Sequence, residues 1–509
     1  MPDTSGPKAP QTAAVVLATT PAARLACAEG TILERLTAQL DGLFVLDLHV
    51  VARTAVAAGP RPVEAARGLV EDLRAVAKTA AAASGPVAVL PGDIVAHTDA
   101  LAALLDHPAR DTGALVAVGE PAGPLRPPVR AQDGRVAEAG TSFHRVTEAN
   151  AAFCGVLQVG EAHLGSLARV AEELAEHVGA GAFGPVSGAE VGDLLLVGLV
   201  RSGVPVRAVP LGRLHCDRVT GQASADDAVR RLAGVDESAV RLDAAIKSDD
   251  GFVSTFLVSS WSRHLVRLAA RLSLTPNAVT GISLGLAFLA AVWFSAGTRG
   301  AMMFGAALLC LSFVLDCVDG QLARYSRAFS PLGAWLDATA DRAKEYMAYL
   351  GLAIGYAAWH PHTGAGPYDL WNGGPHGIWA LAVAALVLQT LRHAIDFSFR
   401  ASREDAGKVG AAWGTAWART PRSLLLPDDP PARAAPAGGG VVGLSRRLEG
   451  RQASRWLKKI IVLPIGERMA LIAVTAAFFD ARITFLALLL WGGVAAAYTV
   501  TGRIARSLA

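Results

Sequence analysis

The sequence predicts two unlike halves: an N-terminal α/β unit on a Rossmann-type sheet and a C-terminal all-α unit of six transmembrane helices. Three observations carry this. Residues 1–250 mix apolar and charged positions as a soluble domain does, whereas most of 276–502 falls into long apolar blocks. The first half alternates short apolar runs with helix-length amphipathic ones, the order of a mostly parallel sheet with helices on both faces. The second half holds six segments near the ~20 residues that a ~30 Å hydrocarbon core requires. Composition agrees: 52% of residues are hydrophobic and the mean hydropathy is +0.37, high for a soluble protein. At 509 residues the chain is long enough for two or three units.

In the first half, "AAVVLA" (13–18) reads as a strand, "TILERLTAQL" (31–40) as a helix and "LFVLDLHVV" (43–51) as a strand. A helix follows at about 62–83, then "GPVAVLPGD" (85–93) as a strand ending in a turn. Ligands of such sheets bind beyond the carboxyl ends of the strands, and Asp93 lies at such an end. Further on, "FVSTFLVSSWSRHLVRLAARL" (252–272) sets Arg263, Arg267 and Arg271 on the polar side of a helix suited to a membrane surface. Pro276 in "TPNAV" then starts a helix. The six spans are expected near 277–297, 301–324, 333–358, 377–398, 459–479 and 483–502. The division is therefore 1–240 for the first domain, 241–275 for a linker and juxtamembrane helix, and 276–509 for the membrane domain.

The loops orient the spans. The 359–376 loop has no Lys or Arg, whereas the 400–459 loop carries twelve, and Arg324, Arg327, Arg503 and Arg506 fall on that same side. Six spans then put both termini and the first domain in the cytoplasm of a multi-pass cell-membrane protein. The Pro- and Gly-rich stretch 424–443 is expected to be flexible. A net charge of +3 without a dense basic run argues against nucleic acid. The five cysteines form no CxxC pair, which argues against a disulfide framework or zinc site and for a reducing compartment. The N-terminus lacks a basic region followed by an apolar core, so no cleaved signal peptide is expected.

The stretch "LDCVDGQLARYSRAFSPLGAWLDATADR" (315–342) places four aspartates in otherwise apolar helices. One such residue costs about 2.5–3.5 kcal/mol at mid-membrane. Asp316 and Asp319 are i, i+3 on the second span, and Asp337 and Asp341 are i, i+4 on the third, so the pairs can face each other across a short turn. Convergent carboxylates repel unless cations sit between them, and an all-oxygen site favours Mg²⁺ or Mn²⁺. Two such ions suit the polarisation of a pyrophosphate. Gly320 and Ala323 leave room for a flat group against the helix, and Arg324 offers a bidentate phosphate contact.

Asp316-x-x-Asp319-Gly320-x-x-Ala323-Arg324, eight residues, then Gly333-x-x-x-Asp337-x-x-x-Asp341 resembles the CDP-alcohol phosphotransferase signature at every fixed position. The resemblance implies a six-helix membrane enzyme, usually a homodimer, that transfers a substituted phosphate from a CDP-linked donor to a hydroxyl and releases CMP. It implies that Asp316, Asp319 and Asp337 bind the metals, with Asp341 contributing to the site and acting as general base. Gly320, Ala323 and Arg324 would cradle the cytidine and its phosphates, with Gly333 part of the same signature. CDP-diacylglycerol and CDP-inositol are the candidate donors. Lys247, Arg263, Arg392 and Arg468 offer a basic lining for a phosphorylated acceptor, and "LPIGERMALI" (463–472) resembles a segment of family members that use inositol phosphate. Positive-inside anchoring explains the same basic residues equally well.

Residues 1–230 resemble a sugar-phosphate nucleotidyltransferase domain. The similarity lies in 15–40, "LPGDIV" (90–95), "AAFCGVLQV" (151–159) and "LHCDRVTGQASADDAVRRL" (214–232); the second resembles the metal-aspartate strand, with Asp93, the third the product-side strand, and the fourth the segment carrying a second metal aspartate, Asp217. Such domains occur fused to CDP-alcohol phosphotransferases that make CDP-inositol and join it to inositol phosphate. The family's first loop is glycine-rich and basic, to hold a triphosphate. Here "ATTPAARLACAEG" has no glycine before Gly30 and no lysine, with Arg24 its one basic side chain. A non-catalytic domain that docks, regulates or dimerises the membrane unit is therefore expected. A cation transporter and a nucleotide-sensing scaffold are the rival readings of the whole chain. The first is disfavoured by aspartates near a helix end rather than at a midplane break.

Overall fold

The computed structural model describes residues 12–27, 30–43, 45–53, 63–65, 68–246, 259–359, 375–413, 424 and 460–507. The chain divides into two compact units, Met1–Val240 with Gly410–Ala435 and Arg241–Val409 with Pro436–Ala509. Each is described by itself.

In the first unit the strands are β1 (Thr12–Ala18), β2 (Ala26–Cys27), β3 (Gly30–Thr31), β4 (Val45–Ala52), β5 (Val63–Ala65), β6 (Val87–Pro91), β7 (Ile94–Ala96), β8 (Gly113–Val118), β9 (Pro128–Gln132), β10 (Arg135–Ala139), β11 (Ala151–Val159), β12 (Arg207–Pro210) and β13 (Cys216–Arg218). The helices are α1 (Ile32–Asp41), α2 (Leu69–Ala82), α3 (Thr98–Leu105), α4 (Leu164–Gly179), α5 (Val191–Arg201), α6 (Gln222–Ala233) and α7 (Glu237–Ala245), the last continuing into the second unit.

Nine strands make one sheet in the order β5-β4-β1-β6-β11-β8-β12-β10-β9. Every residue of β1 is buried, which is why it reads as an unbroken apolar run. Its alternate residues serve opposite faces. Ala13, Val15 and Leu17 pack with Leu73, Val76, Leu167, Leu174 and Leu194 of α2, α4 and α5. Ala14, Val16 and Ala18 pack with Leu33, Leu36, Leu40, Leu101 and Leu104 of α1 and α3. Helices thus cover both faces. Leu424 is buried in the first of these clusters, and its carbonyl accepts from His144 Nε2 at 2.9 Å. The rest of 424–443, expected to be flexible, lies outside the described residues.

Two expectations are corrected here. The sheet is mixed rather than mostly parallel: β5, β4, β1 and β6 run parallel, but β11 is antiparallel to both β6 and β8. The strands at 13–18, 43–51 and 85–93, from which the parallel order is inferred, all lie on the parallel side. The helix expected at 62–83 starts at Leu69, because Val63–Ala65 pairs in register with Val50–Ala52 and adds an edge strand.

The second unit holds α8 (Ser259–Arg271), α9 (Pro276–Ser295), α10 (Arg299–Ser326), α11 (Pro331–Trp359), α12 (Pro375–Trp413, its residues up to Val409), α13 (Ile465–Phe478) and α14 (Ala481–Ser507). α9 begins as expected: Thr275 caps it, its hydroxyl accepting from the Ala278 N–H at 3.2 Å, and Pro276 is the first helical residue. Helices stand at all six expected spans, but among the described residues four, not six, are long and apolar enough to cross a membrane: Pro276–Ser295, Arg299–Ser326, Gly377–Phe399 and Ala481–Ile504. α11 departs because Asp337, Asp341, Arg342, Lys344 and Glu345 fall within its first half. α13 has only 14 residues, since the left-handed Leu463 (φ 51°) and Pro464 end the preceding turn before it starts.

α9 packs against both α10 and α11. Against α10, Ser283 donates to the Ser312 carbonyl at 2.8 Å and Ser312 donates back to Ser283 at 2.7 Å. Such buried hydroxyl pairs and small residues are what let membrane helices close on each other without a hydrophobic drive. Against α11, a Cβ on Gly351 or Gly355 would run into the Ala291 or Phe294 carbonyl, so both positions require glycine.

Candidate active site

α10 and α11 are joined by a short turn in which Arg327 adopts the left-handed conformation (φ 55°) and Pro331 opens the next helix. Ser330 caps that helix, its hydroxyl accepting from the Gly333 N–H at 2.9 Å. A Cβ on Gly333 would approach Ser330 Oγ at 2.9 Å and Asn277 Oδ1 at 3.0 Å, so the glycine here serves the fit of the turn. The geometry brings one carboxylate oxygen each of Asp316, Asp319 and Asp337 within 4.8 Å of one another. Asp319 is buried, Asp316 half-buried and Asp337 exposed, so the cluster opens to one side. Thr280 of α9 donates to Asp319 Oδ2 at 2.6 Å, which fixes that carboxylate from behind. Three hard oxygen donors with one fixed by a hydroxyl are a donor set that fits Mg²⁺ or Mn²⁺.

Asp341 is not one of this trio but adjoins it at Asp316, with which it lines a common pocket. Its Oδ1 lies 4.0 Å from Lys344 Nζ, and Lys344 is ion-paired with Asp316. That same Oδ1 is shut from solvent and has no hydrogen-bond partner among the described residues. On α10, Gly320 is half-buried, and a Cβ there would be accommodated, in ordinary contact with the Arg324 guanidinium at 3.6 Å. Ala323 is half-buried one turn on, and Arg324 Nε donates to the Ala245 carbonyl at 2.6 Å.

A cavity of about 230 Å³ is lined by Asp341, Arg342, Glu345, His393 and Arg468, among others. Within it Glu345 is fully buried, 3.1 Å from Arg468 and 4.0 Å from His393, and accepts from the Tyr349 hydroxyl at 2.5 Å. Of the basic residues singled out in the sequence, Arg468 therefore reaches the surroundings of Asp341. Arg392 does not line this cavity; it donates to the Val462 carbonyl at 2.7 Å and to Gln389 at 3.2 Å. Arg263 pairs with Asp243 at 3.1 Å on a half-exposed surface. Lys247 lies outside the described residues.

In the first unit Asp93 and Asp217 are each met by arginine. Arg218 clamps Asp93 through two N–H donors at 2.9 and 3.0 Å with both side chains buried, and Thr20 donates to the same carboxylate at 2.9 Å. Arg126 pairs with Asp217 and also with Glu120, while Arg231 lies 3.1 Å from Asp217. Asp193 lies beside this network, and burial pushes its carboxyl up to about 7 although Arg218 opposes the shift. Among the described residues, the groups of three or more ligands able to hold a metal do not include Asp93 or Asp217. Arg24 is exposed on the short turn after β1.

The sequence reading passed over Thr280, Lys344, Glu345 and His393. For Lys344 and Glu345 a signal existed: two charges at i+3 and i+4 from Asp341, on the inward stripe of an otherwise apolar helix. For Thr280 and His393, on other helices, no local pattern pointed to the site.

Residues 273–418 match the CDP-alcohol phosphatidyltransferase family. The bifunctional IPC transferase and DIPP synthase of Rubrobacter xylanophilus is 37% identical over 111 residues, which is 22% of this chain and 25% of that protein. The archaetidylinositol phosphate synthase of Aeropyrum pernix is 43% identical over 54 residues, 11% of this chain and 27% of that one. The chain thus spans about a quarter of the length of these curated relatives. The inositol-1-phosphate CTP transferase from T. maritima aligns over 45% of this chain and 99% of its own, with 13% identity and a TM-score of 0.33.

Proposed function

We propose that this chain, whose C-terminal region carries a CDP-alcohol phosphatidyltransferase domain, transfers a substituted phosphate from a CDP-linked donor to an acceptor hydroxyl and releases CMP. The observation that carries this reading is the meeting of Asp316, Asp319 and Asp337 beside Gly320 and Arg324, with Asp341 adjoining Asp316 on one side and lining a cavity on the other. One side suits the pyrophosphate and its cytidine, the other an acceptor.

In this reading Asp316, Asp319 and Asp337 would hold Mg²⁺ or Mn²⁺, with Asp341 contributing to the site when a second ion enters with the donor. Bound there, the metal would neutralise pyrophosphate charge and stabilise CMP as it leaves. Gly320 and Ala323 let the nucleotide lie against α10, and Arg324 reaches its phosphates. Asp341 takes the acceptor's proton as the hydroxyl oxygen bonds to the transferred phosphorus and the bond to the CMP oxygen breaks. The unpartnered Oδ1 is the atom for that proton. A carboxylate is a weak base toward an alcohol, so the proton moves only as attack proceeds.

The acceptor side is lined by Arg342, His393 and Arg468. That supports a phosphorylated acceptor, and inositol phosphate agrees with the names of the curated relatives. The four apolar helices make this a membrane protein. We place its site and first unit on the cytoplasmic side, from the loop charges, and take a homodimer as the working assembly. The first unit acts as a docking or regulatory module, because arginines meet the carboxylates that a metal-nucleotide would need. Transport and a purely structural role are not favoured, since neither calls for a glycine and an arginine beside the carboxylates.

The test is CMP release by the purified full chain from CDP-diacylglycerol or CDP-inositol, screened against inositol 1-phosphate, glycerol 3-phosphate, serine and inositol. Asp341→Asn should lower turnover about 10²–10⁴-fold, the usual worth of a positioned base. No CMP from either donor with any acceptor would sink the reading.

A further inference from the structure

We infer that Lys344 is a resident counter-cation of the carboxylate site, holding Asp316 and Asp341 together and keeping a second divalent ion out of that pair until the donor binds. This rests on the reading that Asp316, Asp319 and Asp337 hold a divalent ion.

Lys344 is a lysine almost wholly buried, its side chain only 3% exposed. A buried ammonium is costly unless carboxylates meet it. Two do: Asp316 is ion-paired with it, and Asp341 Oδ1 lies at 4.0 Å. The gap they share is walled by Leu309, Phe313, Ile465 and Met469 and leaves no room for a water. The ammonium therefore sits against Asp316 and faces Asp341, beside the trio that Asp316 shares with Asp319 and Asp337. Asp316 belongs to both arrangements, which couples them.

The charges explain the consequence. Four ionised carboxylates with one divalent ion and one ammonium fall one unit short of neutral. A second divalent ion would overshoot, leaving a net positive charge in a low-dielectric setting. A pyrophosphate donor supplies the anions that reverse this balance. Lys344 acts through the carboxylates it holds, as a positioning residue, and makes uptake of the second ion depend on the donor.

The experiment counts Mn²⁺ bound to the detergent-purified full chain without nucleotide, by paramagnetic resonance of the free ion. The wild-type chain should bind one ion. Lys344→Met should bind two, or bind its ions at least tenfold more tightly, and Lys344→Arg should return to one because it keeps the cation. Adding Asp341→Asn to Lys344→Met should remove the gained ion. Two ions in the wild type, or an unchanged count and affinity in Lys344→Met, overturn the inference. Should Lys344→Met fail to fold, the wild-type count and Lys344→Gln decide it in the same way. CMP release is not read here, so a failure leaves the transfer reading standing. Absence of any Mn²⁺ binding by the wild type would instead count against the metal site itself.

Discussion

At the scale of the residue, the two units differ in how the carboxylates of their candidate sites are met. In the first unit, arginines meet Asp93 and Asp217, and Asp193 is left buried with its carboxyl raised from about 3.8 to about 7. A raised carboxyl holds its proton in the folded state after the unfolded chain has lost it. Stability of this unit is therefore greatest below about pH 4 as far as Asp193 is concerned. It falls as pH rises toward 7 and levels off above that, at up to ~1.4 kcal/mol per pH unit. Asp193→Asn should remove that fall and raise the unfolding midpoint of the first unit at pH 8. Thermal unfolding of the full chain between pH 4.5 and 8 checks it, and identical slopes for variant and wild type would refute it. In the second unit, by contrast, the carboxylates gather with a single lysine and leave an open side.

At the scale of the element, the glycines of the membrane helices divide into two kinds. Gly355 sits where α11 closes on the Phe294 carbonyl of α9, and a side chain there has nowhere to go. Gly320 sits on α10 where a Cβ would fit without a clash, in contact with the Arg324 guanidinium. Gly355→Val should cost about 1–3 kcal/mol or more through overpacking, and Gly320→Ala should leave the fold intact or slightly firmer. Their effects on function should run the other way around: Gly320→Ala raises the apparent KM for the CDP-linked donor while the detergent-solubilised unfolding midpoint stays within a few degrees of wild type. A Gly320→Ala variant with unaltered donor kinetics would remove that glycine from the nucleotide cradle. The sequence located these helices well, because apolar blocks and the Thr275-Pro276 start are local signals. It misplaced the start of α2 and the length of α13, because an edge-strand pairing and a backbone break at Leu463 and Pro464 are decided by what lies alongside.

At the scale of the whole molecule, the chain joins a unit with met acids to a unit with an open acidic site. If the first unit is a docking or regulatory module, the full chain carrying Asp341→Asn, supplied with CTP, inositol 1-phosphate and Mg²⁺, should release no pyrophosphate above background. Steady release, abolished by Asp93→Asn, would restore a nucleotidyltransfer role to that unit. The aspartate spacing from Asp316 to Asp341 was legible in the sequence because helical periodicity alone puts each pair on one face. So was the division into an α/β half and an apolar helical half, since both follow from the local pattern of hydrophobic residues. The tertiary structure decided which charges meet: that three aspartates converge, that Asp341 shares Lys344 with Asp316 and lines the cavity with Arg468, and that Arg218 closes on Asp93. Those pairings join residues on different elements, from 28 to 125 positions apart for Lys344–Asp316 and Arg218–Asp93. Periodicity reports the face a residue occupies. Only packing determines which other face it meets.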